Sequence, residues 1–288
     1  MHTPFHRISI IGLGLIGGSW GLALKKRGFA GRITGCDRPQ VLDRARARGV
    51  IDEAQENPAA AVSEADLVIV ATPVGAILDL LPTLQRAAPR GALITDTGST
   101  KRVICQRARE IFGGEPVFLG GHPMAGKEQS GLESADANLF RGARYAFTPL
   151  RSEHLGDERI QAFSALVESV GAHPFVVEAS AHDRAVAFLS HLPQLVSTGL
   201  ASLIGEHAAP GFLPLELSAG GLCDMTRLGE SPYSVWRDIC LTNVENIQAA
   251  LDSLIEKLED MKAHLSDREM EREFRRALKF REELRKLT

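Results

Sequence analysis

Gly12-Leu13-Gly14-Leu15-Ile16-Gly17 follows the apolar run Ile8-Ser9-Ile10-Ile11 and opens a helical stretch from Ile16 to Arg27. A glycine pattern placed between a strand and a helix has a specific physical reading. Gly12 makes a tight turn, Gly14 lets the backbone approach a pyrophosphate, and Gly17 lets helix and strand pack closely. Amides at the helix start, Leu15 and Ile16 among them, then hold the phosphates with help from the helix dipole. Asp37 ends the next expected strand, about 20 residues on, where a carboxylate binds ribose hydroxyls. That carboxylate repels a 2′-phosphate and so favours NAD. Arg38 beside it is either a solvated loop charge or a partner for such a phosphate, which leaves NADP open. Thr72-Pro73-Val74 closes a further strand at the same sheet edge and is expected along the cofactor. The plainer role for that turn is a helix start with proline in its first turn.

Outward from the loop, β-rich runs alternate with helical stretches as far as residue 178. The expected strands are Ile8 to Ile11, Arg32 to Cys36, Leu67 to Ala71, Ala92 to Thr95, Val117 to Leu119, Tyr145 to Thr148 and Pro174 to Val177. Such alternation builds a mostly parallel sheet with helices on both faces. Leu67-Val68-Ile69-Val70-Ala71 has the continuous apolar character of a strand buried on both sides. After Ala179 the strand signals stop. Ala179 to Ile204, Leu215 to Arg227 and Tyr233 to Leu265 read as helices broken at Pro210, Pro214 and Pro232. The expected architecture is therefore an α/β Rossmann-like dinucleotide-binding domain over 1–178, followed by an all-α helical substrate and dimerisation domain over 179–288. Leu251, Leu254, Leu258, Met261 and Leu265 form an apolar stripe on one helix face. That stripe suits either packing within the helical half or a homodimer interface. The charged tail from Ser266 reads as a solvated amphipathic helix.

Composition narrows the class. With 44% hydrophobic and 24% charged residues, the chain of 288 can bury a sizeable core. A net charge of −3 gives no reason to expect nucleic acid or an anionic membrane as partner. Cys36, Cys105, Cys223 and Cys240 form no Cys-x-x-Cys pair, so neither a disulfide framework nor a thiolate metal site is expected. No signal peptide and no apolar run of about 18 residues is read, and the expectation is a soluble cytoplasmic protein without metal.

A second motif, Gly120-Gly-His-Pro-Met-Ala-Gly126, follows the run Val117-Phe118-Leu119. His122 is expected where a strand ends between glycine hinges, at the carboxyl edge that binds ligands in open α/β sheets. Its ordinary pKa of about 6.5 suits proton exchange near neutrality; a turn histidine is the plainer alternative. Asp96-Thr97-Gly98-Ser99-Thr100-Lys101 closes another strand, and Ser99 either caps the next helix or offers a hydroxyl to substrate. In the helical half, Ser190-His191-Leu192-Pro193-Gln194 marks a kink where backbone groups are freed. Asp224-Met225-Thr226-Arg227 and Trp236-Arg237-Asp238 follow. Each of these charged residues also has an ordinary surface explanation.

Taken in order, these motifs resemble the prephenate/arogenate dehydrogenase family of tyrosine biosynthesis. The likeness runs through 12–19, 96–101, 120–126, Ser130-Gly131, Asn138-Leu139-Phe140, His182-Asp183, 190–193, 224–227 and 236–238, nearly the whole chain. It implies oxidative decarboxylation of prephenate or arogenate. His122 would accept the proton of the ring hydroxyl, Ser99 would hold that hydroxyl, and Arg227 would grip a substrate carboxylate. Asp224 would orient that region, His191 and Trp236 would line the pocket, and Glu128 would pair with the arginine and gate the site. Gln194 departs from a histidine frequent in prephenate-selective members, which leaves the two substrates open. No fused chorismate mutase segment and no regulatory domain is read, so any feedback by tyrosine would act at the active site. The nearest rival is a β-hydroxyacid or imine-type dehydrogenase. Its lysine-dependent form fits poorly, because no lysine lies between Lys127 and Lys257. A non-catalytic nicotinamide-binding sensor is the rival from another class.

Overall fold

The computed structural model describes residues 3–127, 129–208 and 213–286. Two compact units are present, Met1–Asn243 and Val244–Thr288. The first is built on a sheet of eight strands: β1 (Arg7–Ile11), β2 (Arg32–Cys36), β3 (Glu53–Gln55), β4 (Leu67–Val70), β5 (Leu93–Asp96), β6 (Val117–Pro123), β7 (Arg144–Pro149) and β8 (His173–Val176). Their order is β3-β2-β1-β4-β5-β6-β7-β8. Every neighbouring pair is parallel except β6 and β7, which run antiparallel. This is the α/β dinucleotide-binding arrangement, with two strands added beyond β6.

Helices α1 (Leu15–Lys26), α2 (Pro39–Ala47), α3 (Pro58–Val62), α4 (Val74–Ala87), α5 (Arg102–Ile111) and α6 (Glu158–Ser169) cover the sheet. Alternate residues of each central strand feed two separate cores, because successive side chains point to opposite faces. Ile8, Ile10, Leu67 and Ile69 join the core that contains Trp20, Phe140 and Phe163. Ile11, Val68, Val70 and Ile94 join the other, with Ile77, Leu81, Leu84 and Ile104. Trp20 is fully buried, its ring centroid 5.0 Å from Phe140 and 5.9 Å from Phe163.

Seven strands lie where the sequence places them; β3 and α3 are additions. Both are short, three and five residues, and carry too little pattern to read. Asn57 starts α3 by accepting the amide of Ala59 at 2.9 Å.

All described elements after β8 are helical. α7 (Ala179–Val186), a π-helical turn over Ala187–His191 and α8 (Leu192–Ala208) form one continuous run. Pro193 has no N–H to continue the regular ladder, and the wider turn precedes it at the expected kink. This run is long and apolar enough to cross a membrane by length and composition, with mean hydropathy 1.2 in its best window. A helix packed inside a protein reaches the same value, so length and composition alone do not make this run a membrane span. His182, Asp183, His191 and Gln194 on this run are all buried in protein. Next come α9 (Gly220–Thr226) and α10 (Tyr233–Thr242). The expected helix from Leu215 is a 3-10 turn followed by α9, and Pro210 lies outside the described residues.

The second unit contains α11 (Val244–Ala263) and α12 (Arg268–Arg285). The helix expected from Tyr233 to Leu265 is therefore interrupted at Asn243. Asp267 caps α12 by accepting the amide of Glu269 at 2.8 Å, and Lys257 pairs with Glu273 at 3.2 Å.

Candidate active site

At the carboxyl ends of β1, β2 and β4 the glycines of the loop divide the work. Gly12 adopts φ +89°, and a Cβ there would lie 2.7 Å from the carbonyl oxygen of Ala71. A Cβ on Gly17 would meet the Gly12 carbonyl oxygen at 1.9 Å, so only glycine permits this helix–strand contact. Above Gly14 there is nothing within 4 Å of a Cβ, which leaves the helix start open to a ligand. Leu15 begins α1 and Ile16 follows it, so their amides point from an uncapped N-terminus.

Asp37 sits beyond β2 and accepts the amides of Leu13 and Arg38, both at 2.7 Å. Arg38 is largely exposed, its Nε 3.8 Å from Asp37. Gly12, Asp37, Arg38 and Thr72 line a cleft of about 390 Å³ together with Cys36 and Glu56. Thr72 Oγ1 is buried in this region without a hydrogen-bond partner, an orphan that a bound polar group would satisfy. These features fit a dinucleotide: an open helix start for phosphates, a carboxylate for ribose and an apolar-walled cleft for a base. Pro73 precedes α4 and Val74 begins it, buried. The Gly75 amide in the first turn of α4 donates to Asp238 Oδ2 of α10 at 2.8 Å.

The second cluster forms where β6 outruns β5. Parallel pairing between them stops at Thr95 and Leu119, and β7 carries β6 on by pairing Ala146 with His122. His122 is therefore within a strand, which corrects the expectation of a strand-ending turn. Nor are its glycines hinges, since neither Gly120 nor Gly121 has positive φ. They provide space: a Cβ at Gly120 would lie 2.1 Å from Thr148 Oγ1, and one at Gly121 2.6 Å from the Asp96 carbonyl oxygen.

Asp96 and Lys101, both fully buried, pair directly beneath this strand. Lys101 Nζ also donates to the Gly121 carbonyl at 2.7 Å, while Asp96 Oδ1 accepts the Gly121 amide at 3.1 Å. Gly121, the residue before His122, is thus held on both its amide and its carbonyl by the two ends of the 96–101 turn, and half-buried Ser99 stands on that turn. His122 Nδ1 lies 2.9 Å from His182 Nε2, and His182 Nδ1 lies 2.8 Å from Asp183 Oδ1. Burial pushes the His122 pKa well below 6.5, and the neighbouring His182, Lys101 and His191 push it the same way.

Asn243 ties in the next layer, donating to the Asp183 carbonyl at 2.8 Å with its amide nitrogen 3.3 Å from His191 Nδ1. Burial brings the His191 pKa down to about 4, against the opposing pull of Asp183. The His191 ring meets half-buried Trp236 edge-on, centroids 5.7 Å apart. Gln194 donates to the Leu228 carbonyl at 2.6 Å and Ser197 accepts the Gly229 amide at 3.1 Å, joining α8 to the turn after Arg227. Asp224 and Arg227 are both exposed, on α9 and at its C-terminal end. Glu128 lies outside the described residues.

His122, His191 and Trp236 are thus gathered on one network through His182, Asp183 and Asn243. The sequence pointed to His182-Asp183 without assigning either a role, and it missed Asp96, Lys101 and Asn243 as parts of this network. All five are buried.

A family model of the prephenate dehydrogenase nucleotide-binding domain matches residues 20–176, and one of the prephenate dehydrogenase dimerization domain matches 178–280. The chain belongs to the prephenate dehydrogenase family. A prephenate dehydrogenase of Lactococcus lactis is 36% identical over 263 residues, covering 91% of this chain and 70% of that one. Among solved structures, prephenate dehydrogenase of A. aeolicus in complex with hydroxyphenyl propionate and NAD+ superposes with a TM-score of 0.86 at 31% identity, covering 97% of both chains. Arogenate dehydrogenase of Synechocystis gives 0.79 at 28% identity, over 98% of this chain and all of that one. Membership of this family agrees with the resemblance carried by the motifs.

Proposed function

We propose that the protein is a cytoplasmic, homodimeric dehydrogenase of tyrosine biosynthesis that oxidatively decarboxylates prephenate or arogenate with NAD. In this reading residues 1–178 hold the cofactor and 179–288 complete the substrate site and the dimer. The observation that carries the proposal is His122, kept neutral at the sheet edge that also bears the dinucleotide loop, in a chain of this family.

NAD, when bound, supplies the hydride acceptor. Amides around Gly12, Gly14, Leu15, Ile16 and Gly17 hold its phosphates, Asp37 takes the ribose, and Thr72, Pro73 and Val74 flank it. Arg38 leaves room for a 2′-phosphate, so NADP is a measurable competitor. His122 accepts the proton of the C4 hydroxyl while Ser99 holds that hydroxyl in line. Proton removal relieves the positive charge that develops at C4 as hydride departs. The ring carboxylate then leaves as carbon dioxide, its bonding pair passes into the ring, and the resulting phenolate takes the proton back from His122. Arg227, whose planar fork matches a carboxylate, anchors the substrate with help from Asp224 and Glu128. His191 and Trp236 wall the pocket, and tyrosine, if inhibitory, acts there.

No specific observation favours a lysine-dependent hydroxyacid dehydrogenase. Lys101 is committed to Asp96 and the Gly121 carbonyl. The test is turnover of purified protein with the four pairs of prephenate or arogenate and NAD or NADP. Reduced cofactor and carbon dioxide are expected in equal amounts with at least one substrate, with NAD preferred. Absence of reduced cofactor with both substrates rejects the proposal, and cofactor binding without turnover supports the sensor.

A further inference from the structure

Behind His122 lies a chain of hydrogen bonds to which the reaction above assigns no role. Asp183 is fully buried, and its carboxylate accepts the amides of Lys101 at 2.7 Å and Arg102 at 2.9 Å as well as His182 Nδ1. An ionised carboxylate only accepts, so the His182 proton on that side sits on Nδ1. A neutral imidazole that donates from Nδ1 accepts at Nε2. The lone pair of His182 Nε2 therefore faces His122 Nδ1 at 2.9 Å and requires a donor there. A neutral His122 must supply it, which puts its own proton on Nδ1 and its lone pair on Nε2.

We propose that His182 and Asp183 are positioning residues that fix the tautomer and ring plane of His122, so that Nε2 is the basic atom offered to the substrate hydroxyl. The inference rests on His122 being the base. Its partners are rigid: His182 is 3% exposed, the Asp183 carbonyl is held by Asn243, and the two rings meet at 68°. A histidine left to water favours the opposite tautomer, with its proton on Nε2 and no base pointing outward.

Nitrogen NMR of histidine-labelled protein reads this directly, with the His122 signals assigned by their loss in His122→Asn. The native protein at pH 8 should show His122 protonated at Nδ1 and bare at Nε2. His182→Leu removes the acceptor, and His122 should shift towards the Nε2-protonated form. Its kcat should fall at least about tenfold, part of the roughly 100-fold or greater contribution of a positioned base, with the substrate KM little changed. His182→Gln can donate to Asp183 and accept from His122, and it should restore the tautomer and most of kcat. Nε2-protonated His122 in the native protein overturns the inference. So does native kcat in folded His182→Leu while His122→Asn is inactive, and that result leaves the base assignment standing. A fully active His122→Asn overturns the base itself.

Discussion

His122 is surrounded so that it stays uncharged. Because its pKa is held below the ordinary 6.5, the basic form persists to lower pH than in a free histidine. In the proposed reaction, protonation as pH falls through that lowered value would remove the base, so the acid limb of kcat/KM assigned to His122 should lie below pH 6.5. A limb at or above 6.5 in the pH–rate profile would contradict the burial argument. His191 adds a stability effect of the same sign. Its folded pKa of about 4 lies below the ordinary 6.5, so the unfolded chain binds the proton more readily. Stability from this residue is present above pH 6.5 and drains away as pH falls towards 4, measurable as a decreasing Tm over that window. The identity of His122 was legible in the sequence, but its environment was not. His182 is 60 positions away, and no local pattern announces that two histidines will share a hydrogen bond.

At the scale of elements, the glycine loop was readable because its reasons are close at hand along the chain. The Gly17 constraint comes from Gly12. Gly120 and Gly121 were misread as hinges because their constraints come from Thr148, Asp96 and the distant strand β7. The same non-local pairing extends β6 past Leu119, where apolar content stops. Beneath this extension the Asp96–Lys101 pair is wholly buried, and removing one partner leaves a charge in the interior. Lys101→Met should therefore destabilise the fold by about 3–5 kcal/mol, seen as a lower urea midpoint. The double variant Asp96→Asn with Lys101→Met should recover part of that loss. An unchanged midpoint in the single variant would mean that the pair is not a structural clamp.

For the whole molecule, the helical elements leave apolar side chains outside. In the second unit Leu258, Leu265, Phe274 and Leu278 are each more than half exposed in the isolated chain, and exposed apolar side chains of this kind call for a cover. The Leu258 and Leu265 positions of the sequence stripe are among them. Light scattering at micromolar concentration should give a mass about double the 31.2 kDa of one chain, and a monomer would refute the dimer. Closer to the site, the bond from the Gly75 amide to Asp238 Oδ2 joins residues 163 positions apart. One end belongs to the helix that follows Thr72-Pro73-Val74, the other to the helix that carries Trp236. It ties the two helices at one point, so a shift of the helix that bears Trp236 bears directly on the first turn of α4.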